Sequence, residues 1–383
     1  MTPPSPIAKV GIGAAAAGAS AVAGVLASRL NRRAGLAVGG SDVGYEHTPT
    51  REEVVVTDDG VGLHVEVDEP ATPPSPSRPV VVLVHGYCLS QRTWVLQRRA
   101  LVADGFRVVA YDQRSHGRSE RAPAASCTID RLGHDLHAVI SAVAPEGPLV
   151  LIGHSMGGMT LMAFGEEYPE ELHERVVAVA FLATSGGGAP LVSLGLGPVV
   201  GSAVGRLAPG VLARLGRAQD TLLSLRRFGR GLEDDVVAMW SFDSPMSKGA
   251  VRFVGDTIFA TPFSVMADFL PTLETYDKRS ALSAFSGIEC LVLNGVGDRL
   301  TPPEHSAAIV QRIPGAEHVL VADAGHLVMI EHPRLVNDQI LALIDRGSRA
   351  VRDHVELTRK PRVRRVVTDV ARRRRARVSR KAS

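Results

Sequence analysis

Apolar and polar positions along the chain switch between two periods. REEVVVTDDGVGLHVEVDE (Arg51 to Glu69) alternates polar with apolar residues around an Asp-Gly turn, the pattern of a β-hairpin. A Pro-rich connection leads to PVVVLVHG (Pro79 to Gly86), a continuous apolar run expected of a strand buried on both faces. FRVVAYD (Phe106 to Asp112), PLVLIGH (Pro148 to His154), RVVAVAFLAT (Arg175 to Thr184), IECLVLNG (Ile288 to Gly295) and HVLVAD (His318 to Asp323) repeat the strand pattern. Between them, TIDRLGHDLHAVISAV (Thr128 to Val143) spaces its apolar residues three and four apart, as a helix does. MTLMAFGEEY (Met159 to Tyr168), stopped by Pro169, PPEHSAAIVQRI (Pro302 to Ile313) and a final LVMIEHPRLVNDQILALID (Leu327 to Asp345) also read as helices. Repeated strand–helix units predict an α/β fold, a mostly parallel sheet with helices on both faces.

The alternation breaks at residues 186–286. Short apolar pieces punctuated by Gly and Pro, such as LVSLGLGPVVGSAVGRL and FSVMADFLPTLETY, replace it. The interruption is too long and too apolar for a loop, so an inserted helical cap is expected, dividing the core into 51–185 and 287–345.

Composition changes the picture mainly at the ends. From Arg346 to Ser383 there are fifteen Lys/Arg against three Asp/Glu, so the net +3 of the chain belongs to a basic tail and the remainder is acidic. The tail, 346–383, is expected to be a solvated extension without a nucleic-acid fold; contact with anionic lipid is the sharper alternative. Residues 1–50 form an Ala/Gly-rich leader and linker. Val10 to Ser28 is uncharged and long enough to span a membrane, although Ala and Gly carry little transfer energy. A weak anchor ranks ahead of a loosely helical leader and of a signal peptide cut near Val25-Leu26-Ala27. Those alternatives give a cytoplasmic or membrane-associated protein, or an exported one. Cys88, Cys127 and Cys290 are odd in number and widely spaced, which fits no disulfide framework. No His or Cys pairing has metal-site spacing, and His134 with His137 reads as a solvated helix face, so no metal and no cofactor is expected.

The chemistry gathers at strand ends. GHSMGG (Gly153 to Gly158) has a strand feeding it and a helix leaving it, the context in which G-x-S-x-G puts a serine on a strained turn. Cβ atoms at Gly153 or Gly157 would crowd the backbone around Ser155. A serine hydroxyl needs a base, and the base an orienting acid. Downstream strand ends supply Asp298 and then His326; Asp323 is the local rival acid, and Asp298 is preferred because it can reach the distal ring nitrogen. Asp298 could instead cap the helix at Pro302, but Thr301 suits that cap better. The oxyanion is assigned to the N–H of Met156 and a donor after His85-Gly86, Tyr87 or Cys88. Cys88, His154 and His116 are candidate pocket residues.

Together, His85-Gly86, YDQRSHGRS (Tyr111 to Ser119), GHSMGG and DAGH (Asp323 to His326) resemble the α/β-hydrolase fold family over roughly Val54 to Ile344. The resemblance is to its capped serine branch. It implies that Asp112, Arg114 and Ser119 build a structural loop rather than react. It also implies a serine esterase or lipase-like hydrolase acting on a small apolar ester. The alternatives are carbon–carbon bond hydrolysis or cofactor-free perhydrolysis with the same triad, and a non-catalytic binding protein. Ser155 argues against the branches that place Asp at the elbow.

Overall fold

β-Branched runs pair into one twisted sheet. The computed structural model describes residues 44–188, 219–353 and 365–369, with side chains omitted over 219–229. The leader, the LVSLGLGPVVGSAVGRL stretch and most of the basic tail lie outside these residues. Strands β1 (Arg51–Val56) and β2 (Gly62–Asp68) form the predicted hairpin, with Val56 opposite Gly62 and Gly60 at φ 82° in its turn. Strands β3 (Val80–Val84), β4 (Val108–Tyr111), β5 (Leu149–His154), β6 (Val176–Leu182), β7 (Glu289–Gly295), β8 (Glu317–Val321) and β9 (Arg365–Val367) complete the order β1-β2-β4-β3-β5-β6-β7-β8-β9. The two pairs made by β2 are antiparallel; β4 through β9 run parallel. Strands β3 to β8 are buried almost throughout, which is why their sequences are continuous apolar runs.

Helices follow the strands: α1 (Val95–Ala103), α2 (Ile129–Val143), α3 (Met156–Glu167), α4 (Pro169–Arg175), then α5 (Gln219–Ser241), α6 (Lys248–Ala260) and α7 (Phe263–Thr275) between β6 and β7. Thr128 caps α2, its hydroxyl accepting the Arg131 N–H. α8 (Pro303–Val310) lies between β7 and β8. The described residues 44–188, 219–244, 248–353 and 365–369 belong to one compact unit. Among the described residues no single helix is long and apolar enough to cross a membrane.

Two expectations need correction. The final helix is broken: α9 (Val328–Glu331) ends at His332, with ψ 58°, and α10 starts afresh at Pro333 and runs to Arg352. Proline lacks an N–H and pushes its predecessor out of helical geometry, so the continuous apolar period hides a joint. The basic tail is also ordered in part beyond residue 345. α10 extends seven residues past Asp345, and Arg365–Val367 adds a parallel edge strand beside β8. Arg365 pairs with Glu317, so a charge assigned to solvent is used in pairing the edge.

Candidate active site

The turn between β5 and α3 holds Ser155 at φ 52°, ψ −118°, a left-handed conformation that costs a side-chain-bearing residue free energy. Neighbours over-determine it. The Ser155 N–H donates to Leu182 at 3.0 Å, and the Thr184 hydroxyl donates to the Ser155 carbonyl at 2.7 Å. A Cβ on Gly157 would lie 2.1 Å from the Val84 carbonyl oxygen, and one on Gly153 2.5 Å from that of Gly157. Only glycine closes this turn. Ser155 is half-buried, and Met156 opens α3 immediately after it.

Asp298 and His326 arrive on the loops after β7 and β8, the same carboxyl edge as Ser155. His326 Nδ1 lies 3.0 Å from Asp298 Oδ2. A carboxylate only accepts, so in this pair Nδ1 is the donor and Nε2 is the ring nitrogen turned away from the acid. Asp298 is buried, and its remaining capacity is filled: Oδ1 accepts the N–H groups of Leu300 at 2.9 Å and Thr301 at 3.0 Å, and Oδ2 the Thr301 hydroxyl at 2.8 Å. The helix-cap alternative is answered in part, because Asp298 closes a turn over Thr301 while α8 starts later, after Pro302. Asp323, at φ 57°, offers its carbonyl to His332 at 3.0 Å, and the His326 ring bonds to Asp298 instead. Ser155 Oγ makes no hydrogen bond among the described residues, to His326 included.

The loop after β3 presses on the serine. A Cβ on Gly86 would stand 3.1 Å from Ser155 Cβ and 2.8 Å from His154 Nδ1, so the backbone leading to Tyr87 abuts the elbow. His85 fixes this loop, accepting the Gln113 N–H at Nε2 (2.9 Å) and donating from Nδ1 to the Gly86 carbonyl (2.8 Å). Gln113 reaches on to the Thr160 hydroxyl in α3 at 2.7 Å. Tyr87 donates its hydroxyl to the Met266 carbonyl, and its ring lies 6.4 Å from Phe269, both residues of α7. Cys88, at φ 58°, is buried, and burial pushes its thiol up to about 12.

His154 corrects the sequence reading. It is fully buried, so it does not line a pocket. Its Nε2–H instead donates to the His326 carbonyl at 3.0 Å, with the two rings 4.8 Å apart. His116 is also buried, 5.2 Å from the Phe269 ring, and burial drives its pKa down to about 3, so it stays neutral. Gln113, Thr160 and Thr301 were not read as site residues: Gln113 stands inside the YDQRSHGRS motif, Thr160 one turn into α3, and Thr301 read as a helix cap, so none carried a signal of its own.

Two polar clusters lie elsewhere. Arg114 is buried between Asp135 (2.6 Å) and Asp59 (2.9 Å), while Asp112 accepts the N–H groups of Gln91 and Arg118. Ser119 donates its hydroxyl to the Asp112 carbonyl. Glu52, His64 and Glu66 place possible ligand atoms within 4.8 Å of one another, but Arg118 at 2.8 Å from Glu52 and Arg98 at 2.6 Å from Glu66 already compensate both carboxylates. His134 and His137 bracket Tyr168, one hydrogen-bonded at 2.6 Å and the other stacked at 3.9 Å.

A sequence model of the alpha/beta hydrolase family matches residues 81–339, a stretch that contains the elbow, both loops and the helices between β6 and β7. The chain belongs to this family. A monoacylglycerol lipase of Mycolicibacterium smegmatis is 26% identical over 292 residues, covering 74% of this chain and 94% of that protein. An sn-1-specific diacylglycerol lipase of Mus musculus is 24% identical over 272 residues, 70% and 81% of the two chains. The esterase of Thermogutta terrifontis superposes with a TM-score of 0.59 at 24% identity, over 78% of this chain and all of that one. The bromoperoxidase of Bacillus anthracis gives 0.62 at 20% identity, over 77% and 100%. The protein is an enzyme of the alpha/beta hydrolase family.

Proposed function

We propose that the protein hydrolyses carboxylic esters with an apolar acyl or alcohol portion, with Ser155 as nucleophile, His326 as general base and Asp298 as the acid that orients it. The observation that carries this reading is the buried 3.0 Å contact between Asp298 Oδ2 and His326 Nδ1 on the same sheet edge as a strained serine. His326 Nε2 takes the proton from Ser155 Oγ as Oγ attacks the acyl carbonyl. Serine–histidine hydrogen bonds of this kind often tighten only with substrate in place. The tetrahedral oxyanion is held by the N–H of Met156, at the positive end of α3, and by that of Tyr87. His326 then protonates the leaving alkoxide, and water attacks the acyl-enzyme by the reverse sequence. Asp298 stabilises the imidazolium without taking its proton. The relatives that bear lipase names support the ester as the bond attacked.

Fluorophosphonate labelling tests the centre. Wild type should label stoichiometrically, and Ser155→Ala should neither label nor hydrolyse p-nitrophenyl esters, with kcat down by at least about 10⁴-fold. A wild-type chain that fails to label would overturn the reading. An ester series of rising chain length, run beside a diketone, separates ester from carbon–carbon cleavage.

A further inference from the structure

The loop that carries His326 is fastened to a segment far away in sequence. Ser241–Ser244, where α5 ends, passes between the acid loop and the histidine loop. A Cβ on Gly297 would lie 2.2 Å from Asp243 Cγ, and one on Gly325 2.8 Å from Phe242 Cα. Backbone bonds stitch the same seam: Leu327 N–H to Ser241 at 2.9 Å and Gly297 N–H to Ala324 at 2.9 Å. Arg299, next to Asp298, donates to the Met239 carbonyl in α5.

Glu331, on α9 and buried, closes the seam from beneath. Its Oε2 accepts the Gly325 N–H at 2.6 Å. Its Oε1 accepts the N–H groups of Asp243 at 3.1 Å and Ser244 at 2.6 Å, and the Ser244 hydroxyl. Every one of these partners is a donor, so the site suits a group that only accepts at both ends. Burial raises the Glu331 pKa above the ordinary glutamate value, and the bonds from Gly325 and Ser244 pull it back down.

We infer that Glu331 is a positioning residue: its carboxylate pins the backbone next to His326 to the end of α5, so that the seating of α5 sets the placing of the base. This rests on the proposed role of His326. A glutamine would turn an NH₂ toward the Gly325 N–H or toward the Ser244 donors, and either orientation opposes donor to donor. A histidine displaced by a fraction of an ångström from its productive position loses rate while the fold persists.

The test compares wild type, Glu331→Gln and Ser244→Ala for fluorophosphonate labelling, read as final extent and as rate constant, with kcat and KM for a short-chain ester. The expected result is full extent for Glu331→Gln, a labelling rate and kcat at least about tenfold down, and KM within about threefold of wild type. A purely structural role would lower the extent and leave the rate of the remaining sites unchanged. That outcome, or an unchanged rate at full extent, overturns the inference. If Glu331→Gln does not accumulate as folded protein, Ser244→Ala decides: it keeps the carboxylate and loses one donor, and labelling about two- to fivefold slower supports the inference, while a wild-type rate overturns it. Failure of wild type to label would instead count against the proposed centre.

Discussion

Thr301 shares Asp298 Oδ2 with His326: its hydroxyl donates at 2.8 Å while also lying 3.4 Å from His326 Nδ1. The hydroxyl helps to hold the carboxylate against His326, and a hydrogen bond to a charged group contributes about 1.5–3 kcal/mol. Thr301→Val keeps the shape of the side chain and removes the donor. Part of the loss should fall on the transition state, lowering kcat by about three- to tenfold with KM unchanged in steady-state ester hydrolysis. An unchanged kcat would mean that the two backbone N–H groups on Oδ1 suffice to hold Asp298. At this scale the sequence was most informative. Ser155, Asp298 and His326 each follow a strand pattern, and strand ends are where a parallel sheet presents its chemistry. Thr301 read only as a helix cap and His154 as a pocket residue, because neither a hydrogen-bond partner 25 residues away nor the depth of a side chain has a local signature.

Among elements, the strands were legible because burial on both faces writes itself as unbroken Val, Leu and Ile. The joint at His332-Pro333 and the strand at Arg365–Val367 were not. The first sits inside an apolar period that continues across it; the second is three residues long amid arginines, and its place is set by β8 and Glu317. The loop after β4 depends on a different contact, the fully buried Arg114 guanidinium against Asp135 in α2, at 2.6 Å through both Nε and Nη2. Burial pushes the Asp135 carboxyl up, and Arg114 works against that push. Arg114→Met fills the space but leaves buried Asp135 with only Arg131, 3.7 Å away, and breaking one side of a buried pair costs about 3–5 kcal/mol. Chemical denaturation should show that loss, and the double variant Arg114→Met with Asp135→Leu should recover a substantial part of it. No recovery would show that the loop needs the guanidinium for Asp59 and Ser126 as much as for Asp135.

On the scale of the whole molecule, three histidines are sealed between the sheet edge and the elements packed over it. His85 and His154 lie at the elbow, and His116 lies against Phe269 of α7. Burial lowers the pKa of all three below the ordinary value of 6.5, that of His116 to about 3. In the unfolded chain they titrate near 6.5, so between about pH 6.5 and 3 the unfolded state binds more protons than the native one. The stability these neutral rings confer is therefore complete above about pH 6.5 and declines as the pH falls toward 3. For each ring whose native pKa is still below the ambient pH, the slope is about 1.4 kcal/mol per pH unit. The free energy of unfolding measured from pH 8 to 4 should thus be flat at first and then fall. His116→Gln removes one titrating group while keeping a donor for the Arg114 carbonyl, which His116 Nδ1 contacts at 2.9 Å. Its curve should start lower at pH 8 and fall less steeply below pH 6, converging on wild type. Parallel curves over that range would mean that His116 takes up its proton in the native state, and that the contact with α7 opens in acid before the molecule unfolds.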